Sequence, residues 1–269
     1  MINAWARASP SLDESNRDKV FMPEQYTKFF RIASLILALV LAQAVGTPIW
    51  AGPYQAQAPQ ADFGDVKLEL SGPGKYVRID GLDQDVDRIL LATQSPAAAV
   101  LAIYAEPAAW QNFQKGQQKK DQTGLACHAL ISTPAAMAGQ VVSVDDFGQI
   151  KKSMLDSLRA NVGRIHQLDG ELGAVSDHQV EKAIGKIESF VVVEEDPSYV
   201  VYRQESSLEM TLKGARPKIS RSTTVTATLL AAGKIINLQI VASPEGPKAG
   251  VMEKETLTWL KSFSKGQTN

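Results

Sequence analysis

The chain has 269 residues with a formal net charge of −1, and 44% of its residues are hydrophobic, enough for a sizeable core. The first 58 residues carry five Lys/Arg and four Asp/Glu, so setting them aside shifts the charge only to about −2, which leaves no electrostatic footprint for nucleic acid. A single cysteine, Cys127, excludes an intrachain disulfide, so the fold must rest on its core even in an oxidising compartment.

Residues 1–21 form a polar lead of mixed charge, with Arg7, Asp13, Glu14, Arg17, Asp18 and Lys19, and read as an extension ahead of a start at Met22 or as a short cytoplasmic tail. Residues 22–44 follow the plan of an export signal: Lys28 and Arg31 flank an apolar run from Ile32 to Leu41, and Ala42-Gln43-Ala44 offers a peptidase two small side chains. The expectation is an exported protein, periplasmic or extracellular, cleaved after Ala44 or at a later small residue such as Ala51 or Ala58, so that it begins between Val45 and Pro59. The alternative is an uncleaved anchor formed by residues 29–50, which reach the roughly 20 apolar residues a membrane span needs only by counting through Gly46, Thr47 and Pro48. No cysteine follows the run, which disfavours a lipid anchor.

Residues 45–65 are rich in Ala, Gln and Pro and read as a linker. A single domain is expected over 66–265, with 266–269 as a tail. Val66 to Leu70 alternates with period two, Gly72-Pro73-Gly74 turns the chain, and Tyr76 to Ile79 completes an expected hairpin. A short helix is expected over Asp85 to Thr93, a buried strand over Ala98 to Tyr104, a helix over Pro107 to Lys115, an exposed polar loop over 116–124, and a second buried strand over Leu125 to Ser132.

Ser143 followed by Asp145 and Asp146 marks a helix start, because the hydroxyl accepts from free N–H groups while the acids face the positive end of the dipole. Phe147, Ile150, Met154, Leu155 and Leu158 give that helix one apolar face, and Gly163 ends it. Residues 164–183 show no clear pattern. Strands are expected over Ser189 to Val193, Tyr199 to Gln204, Thr223 to Leu230 and Ile235 to Val241, with a turn at 195–198 and a tight hairpin through Ala231-Ala232-Gly233-Lys234. A closing helix over Val251 to Ser264 carries the stripe Met252, Thr256, Trp259, Leu260 and Phe263.

This order predicts an α+β fold: an antiparallel sheet with a C-terminal four-strand meander, covered by helices. The meander, with Ala231 to Leu238 at its last connection, and the helix carrying Thr258-Trp259-Leu260-Lys261-Ser262-Phe263 resemble the PsbP/Mog1/DcrB-like α/β/α sandwich group over most of residues 66–265. That group contains lumenal photosystem accessory proteins, a nuclear transport factor and exported bacterial proteins. The resemblance implies a role in binding other proteins, and it carries no functional residue onto a particular position here.

Chemistry-bearing patterns are sparse. His128, His166 and His178 form no i, i+4 pair, so no metal or other cofactor is expected. Asp83, Asp85 and Asp87 open like a calcium loop, but Arg88 replaces the glycine of the sharp turn and Gln94 the bidentate glutamate. Gly72-Pro73-Gly74-Lys75 lacks the length and the following helix of a phosphate loop, and no Gly-x-Ser-x-Gly site occurs. Glu194, Glu195 and Asp196 sit at a hairpin tip, where exposure gives no means of raising a pKa. Trp110 and Phe113 fit either an adhesive patch or two core contacts from one helical turn.

The surface feature that stands out is Lys213, Arg216, Lys218 and Arg221, four cations on a segment joining two strands. It reads either as a solvated loop or as a docking surface for an acidic envelope protein or anionic lipid headgroups. Two function classes follow: a non-catalytic exported binding or accessory domain, favoured by the absence of a catalytic constellation, and a hydrolase or ligand-processing enzyme whose site is assembled from dispersed residues.

Overall fold

A computed structural model describes residues 60–82, 97–119, 125–167, 180–212 and 217–266. The expected helix over Asp85 to Thr93, the calcium-like stretch and the export segment at 22–44 lie outside them. Among the described residues ten strands and three helices follow in order: β1 (Gln60–Asp62), β2 (Lys67–Glu69), β3 (Val77–Arg78), β4 (Ala98–Ala105), α1 (Pro107–Lys119), β5 (Cys127–Pro134), a 3-10 turn at Ala135–Met137, α2 (Val144–Asn161), β6 (Ile165–Gln167), β7 (Val180–Asp196), β8 (Tyr199–Leu212), β9 (Lys218–Ala231), β10 (Lys234–Ala242) and α3 (Ala249–Gly266). Strands β3 to β10 form one eight-stranded sheet in the order β3-β4-β5-β10-β9-β8-β7-β6, every ladder antiparallel, while β1 and β2 pair separately. The α+β class and the four-strand meander are as expected.

Three layers result. Helix α3 covers one face, burying Met252, Trp259, Leu260 and Phe263 against Val201, Val225, Ala227, Ile236, Leu238 and Ile240. On the other face α1 seats Trp110 and Phe113 on Ile103 and Leu130, while α2 seats Met154, Leu155 and Leu158 on Val200 and Tyr202. Strand β10 lies between β5 and β9 and is buried along its length except at Val241.

Local chemistry sets the joints. Ser143 caps α2, its Oγ accepting from Asp146 N–H at 3.1 Å. After the last helical residue, Gly163 turns the chain at φ 77° and donates to the Ile187 carbonyl. Ala232 and Gly233 both lie at positive φ, 48° and 76°, as the two-residue hairpin between β9 and β10 requires.

Three expectations are corrected. The segments Val66 to Leu70 and Tyr76 to Ile79 do not form a hairpin: β2 pairs with β1, and β3 pairs with β4. The carbonyls that such a hairpin would use are held by side chains, Leu70 O by Tyr104 Oη at 2.9 Å and Ser71 O by Trp259 Nε1 at 2.6 Å, which carries the chain from the small sheet to the large one. Helix α1 continues to Lys119, so the expected loop begins later than residue 116. The meander strands outrun their apolar cores: β7 starts at Val180, β8 reaches Leu212 and β9 starts at Lys218.

Candidate functional site

The basic segment divides. Lys213 and Arg216 lie outside the described residues, whereas Lys218 and Arg221 stand exposed on the first turn-out of β9. The sequence reading made these residues a connection, but the structure makes Lys218–Ser222 strand, paired with Met210–Ser206 of β8. This end projects past the sheet's centre. The ladder between β9 and β10 stops at Thr223 opposite Ala242, so residues 218–222 extend about 17 Å beyond the last β10 pair at roughly 3.4 Å per residue. From Ala242 the chain turns toward β5, Ser243 N–H donating to Ala126 O at 2.9 Å.

Side chains alternate across this ribbon, so Lys218 and Arg221 point to opposite faces. Arg221 lies on the α3 side, opposite Ser207. Nearby, Lys186 Nζ donates to Glu188 at 2.7 Å and Ser207 Oγ to the same carboxylate at 2.7 Å; these bonds, with the more distant charge of Arg221, hold Glu188 below the usual carboxylate range. Glu188 is thereby occupied within β7 and β8, and β9 itself carries no acid over its exposed end.

The cysteine and the histidine next to it are both held in unreactive states. Cys127 is 1% exposed and bonded to Tyr76 Oη at 3.1 Å, and burial pushes its thiol up to about 11, which keeps it protonated at neutral pH. Tyr76 also reaches Glu255 of α3 at 3.4 Å, and burial raises that carboxyl above its ordinary value. His128 follows Cys127 in sequence but, by strand alternation, faces the opposite side of the sheet, so the two form no thiol–imidazole pair. Burial holds His128 down at about 4, so the ring is neutral.

On His128's side lies a polar grid that the sequence reading missed. One rung across the sheet runs Ala105, His128, Val241, Thr224, Gln204 and Phe190; the next, Ile103, Leu130, Gln239, Thr226, Tyr202 and Val192. A third brings Ser132 beside Asn237 and Thr228. Thr228 Oγ1 donates to Asn237 Oδ1 at 2.8 Å and Gln239 Nε2 to Thr226 Oγ1 at 3.4 Å. His128 Nδ1 and Gln204 Oε1 are buried without a hydrogen-bond partner. The signal was present as Ser222-x-Thr224-x-Thr226-x-Thr228 and Asn237-x-Gln239, a period-two polar pattern that normally marks a solvated face.

The remaining sequence candidates are structural. Trp110 and Phe113 stack at 5.8 Å between centroids inside the α1 contact, which resolves them as core. At the β7–β8 tip, Glu194 accepts from Tyr199 Oη, Glu195 pairs with Lys151 at 3.2 Å, and Asp196 accepts from Ser198 N–H and Oγ, bonds that lower its pKa. His166 stands on β6 opposite Gly185, with no carboxylate across from it, and His178 lies outside the described residues. Among the described residues no three His, Cys, Asp or Glu side chains group as metal ligands, and no helix is long and apolar enough to cross a membrane. Neither a scan against protein-family models nor a search of curated proteins finds a match to this chain.

Proposed function

We propose that the chain is an exported, non-catalytic accessory domain of the cell envelope that docks an acidic surface of another envelope protein through the cationic end of β9. The observation that carries this reading is the placement of Lys218 and Arg221, exposed on opposite faces of a strand end that reaches past the central strand. Supporting it, the thiol and imidazole nearest to a catalytic arrangement are buried, unreactive and turned to opposite faces. The export-type segment at 22–44 supports a position outside the cytoplasm, and the resemblance to the PsbP/Mog1/DcrB-like group supports a role in binding other proteins.

Contacts of this kind are electrostatic and exposed, screened within about 8 Å at physiological ionic strength. Capture of a partner from envelope extracts is expected to weaken steeply as salt is raised, and to be lost in the Lys218→Glu, Arg221→Glu double variant with its melting temperature unchanged. Capture that ignores both salt and charge reversal removes this end of β9 from the site.

A further inference from the structure

We infer that the partner binds as an added strand: an extended acidic segment pairs antiparallel with the open edge of β9 at Ile219 and Arg221. This rests on the docking role proposed for β9 and adds the mode of binding.

The direction of each backbone group follows from two bonds. Leu230 N–H donates to Ser198 O, on the β8 side, and neither the β8–β9 nor the β9–β10 ladder contains a register shift. Even-numbered residues of β9 therefore turn their N–H and C=O toward β8, and odd-numbered ones toward β10. The ladder to β10 ends at Thr223, so the next odd residues, Ile219 and Arg221, direct two N–H and two C=O groups to a side where no described strand lies. Four main-chain groups in line on an exposed edge are a template for strand addition. Ile219 is 59% exposed and would be covered by such a strand.

Charge selects the occupant. A second copy would set two Lys218 and two Arg221 side chains on adjacent strands with no acid between them, and cross-strand like charges are destabilising. An acidic strand turns the same geometry into opposite-charge pairs. A lipid surface could meet the cations but has no use for the outward N–H groups.

The experiment titrates the full chain, in detergent at low salt, with a labelled ten-residue peptide repeating Glu-Glu-Val-Val, which sets acids on both faces of a strand, and with the same peptide N-methylated at alternate residues. N-methylation leaves the charge and removes strand donors. The expected result is binding of the first peptide and a loss of about tenfold or more with the second, as the loss of main-chain hydrogen bonds requires. Ile219→Pro is expected to show the same loss at unchanged melting temperature, since its N–H serves no ladder, whereas Ser220→Pro removes a bond to β8 and lowers the melting temperature. Equal binding of both peptides, lost only on Lys218→Glu with Arg221→Glu, overturns strand addition and leaves charge docking standing. Binding indifferent to the charge reversal overturns the docking role itself. Binding of anionic phosphatidylglycerol vesicles but not of peptide, or self-association of the free chain lost in Ile219→Pro, overturns the inference in favour of a membrane or a second copy.

Discussion

His128 shows how one buried ring couples the fold to pH. Its pKa is lowered to about 4 by burial alone, against an ordinary value of 6.5. The unfolded chain therefore binds the extra proton first as acid is added, and stability falls as pH drops from about 6.5 to about 4 before this contribution levels off. A shift of that size corresponds to on the order of 3 kcal/mol. Urea midpoints measured between pH 7 and 4.5 are expected to fall, and His128→Gln to flatten that slope; an unchanged slope would show that the ring is solvated. Below about pH 4.5, Glu188 and Asp196, whose pKa values are lowered by hydrogen bonds, add their own loss. At this scale the sequence was informative where one residue type has one common fate: a free cysteine within an apolar run is normally a small buried hydrophobe, and Cys127 is 1% exposed. It was uninformative for Thr226, Thr228 and Asn237, because alternating polar residues look the same whether water or a helix-flanked sheet face meets them.

At the scale of elements, legibility followed periodicity. The stripe of α3 was readable because Met252, Thr256, Trp259, Leu260 and Phe263 recur at helical spacing, and all five are buried. Trp259 stands edge-on to Tyr104 at 6.3 Å between centroids and donates to Ser71 O, so Trp259→Ala opens a cavity and removes the bond that holds this carbonyl. The expected cost is about 3 to 5 kcal/mol, read as a fall in the denaturation midpoint at unchanged slope; an unaltered midpoint would make the helix peripheral. In β7 the buried positions Ala183, Gly185 and Ile187 include a glycine and an alanine that blur the apolar alternation, and the end of β9 was not readable, since a strand exposed on both faces has no burial to alternate. That is also why the cationic stretch looked like a loop. The supposed hairpin before β4 failed for a different reason: its partner strands are chosen by contacts from Tyr104 and Trp259, distant in sequence.

For the molecule as a whole, residues 60–71 act as a strap across the α3 layer. Leu68 is buried there, and Lys234, itself only 1% exposed, reaches Asp65 at 3.2 Å, Gln140 O at 3.2 Å and the Phe63 ring at 5.7 Å. Removing residues 1–59 is expected to leave stability within about 0.5 kcal/mol. Removing 1–71 empties the Leu68 site and strands Lys234, a loss on the order of 5 kcal/mol, and a calorimetric comparison of the two truncations checks it.

The seam between β5 and β10 sets the order in which this protein can be assembled. It joins Ser132 to Asn237, so the middle of the sheet is closed by segments made far apart in time. The meander of β7 to β10 folds on neighbours in sequence, whereas β4 and β5 emerge first and pair with each other, leaving the other edge of β5 open until β10 arrives. A growing chain therefore carries an apolar, half-built sheet while residues 135–242 are made, a stage at which an open strand edge favours aggregation.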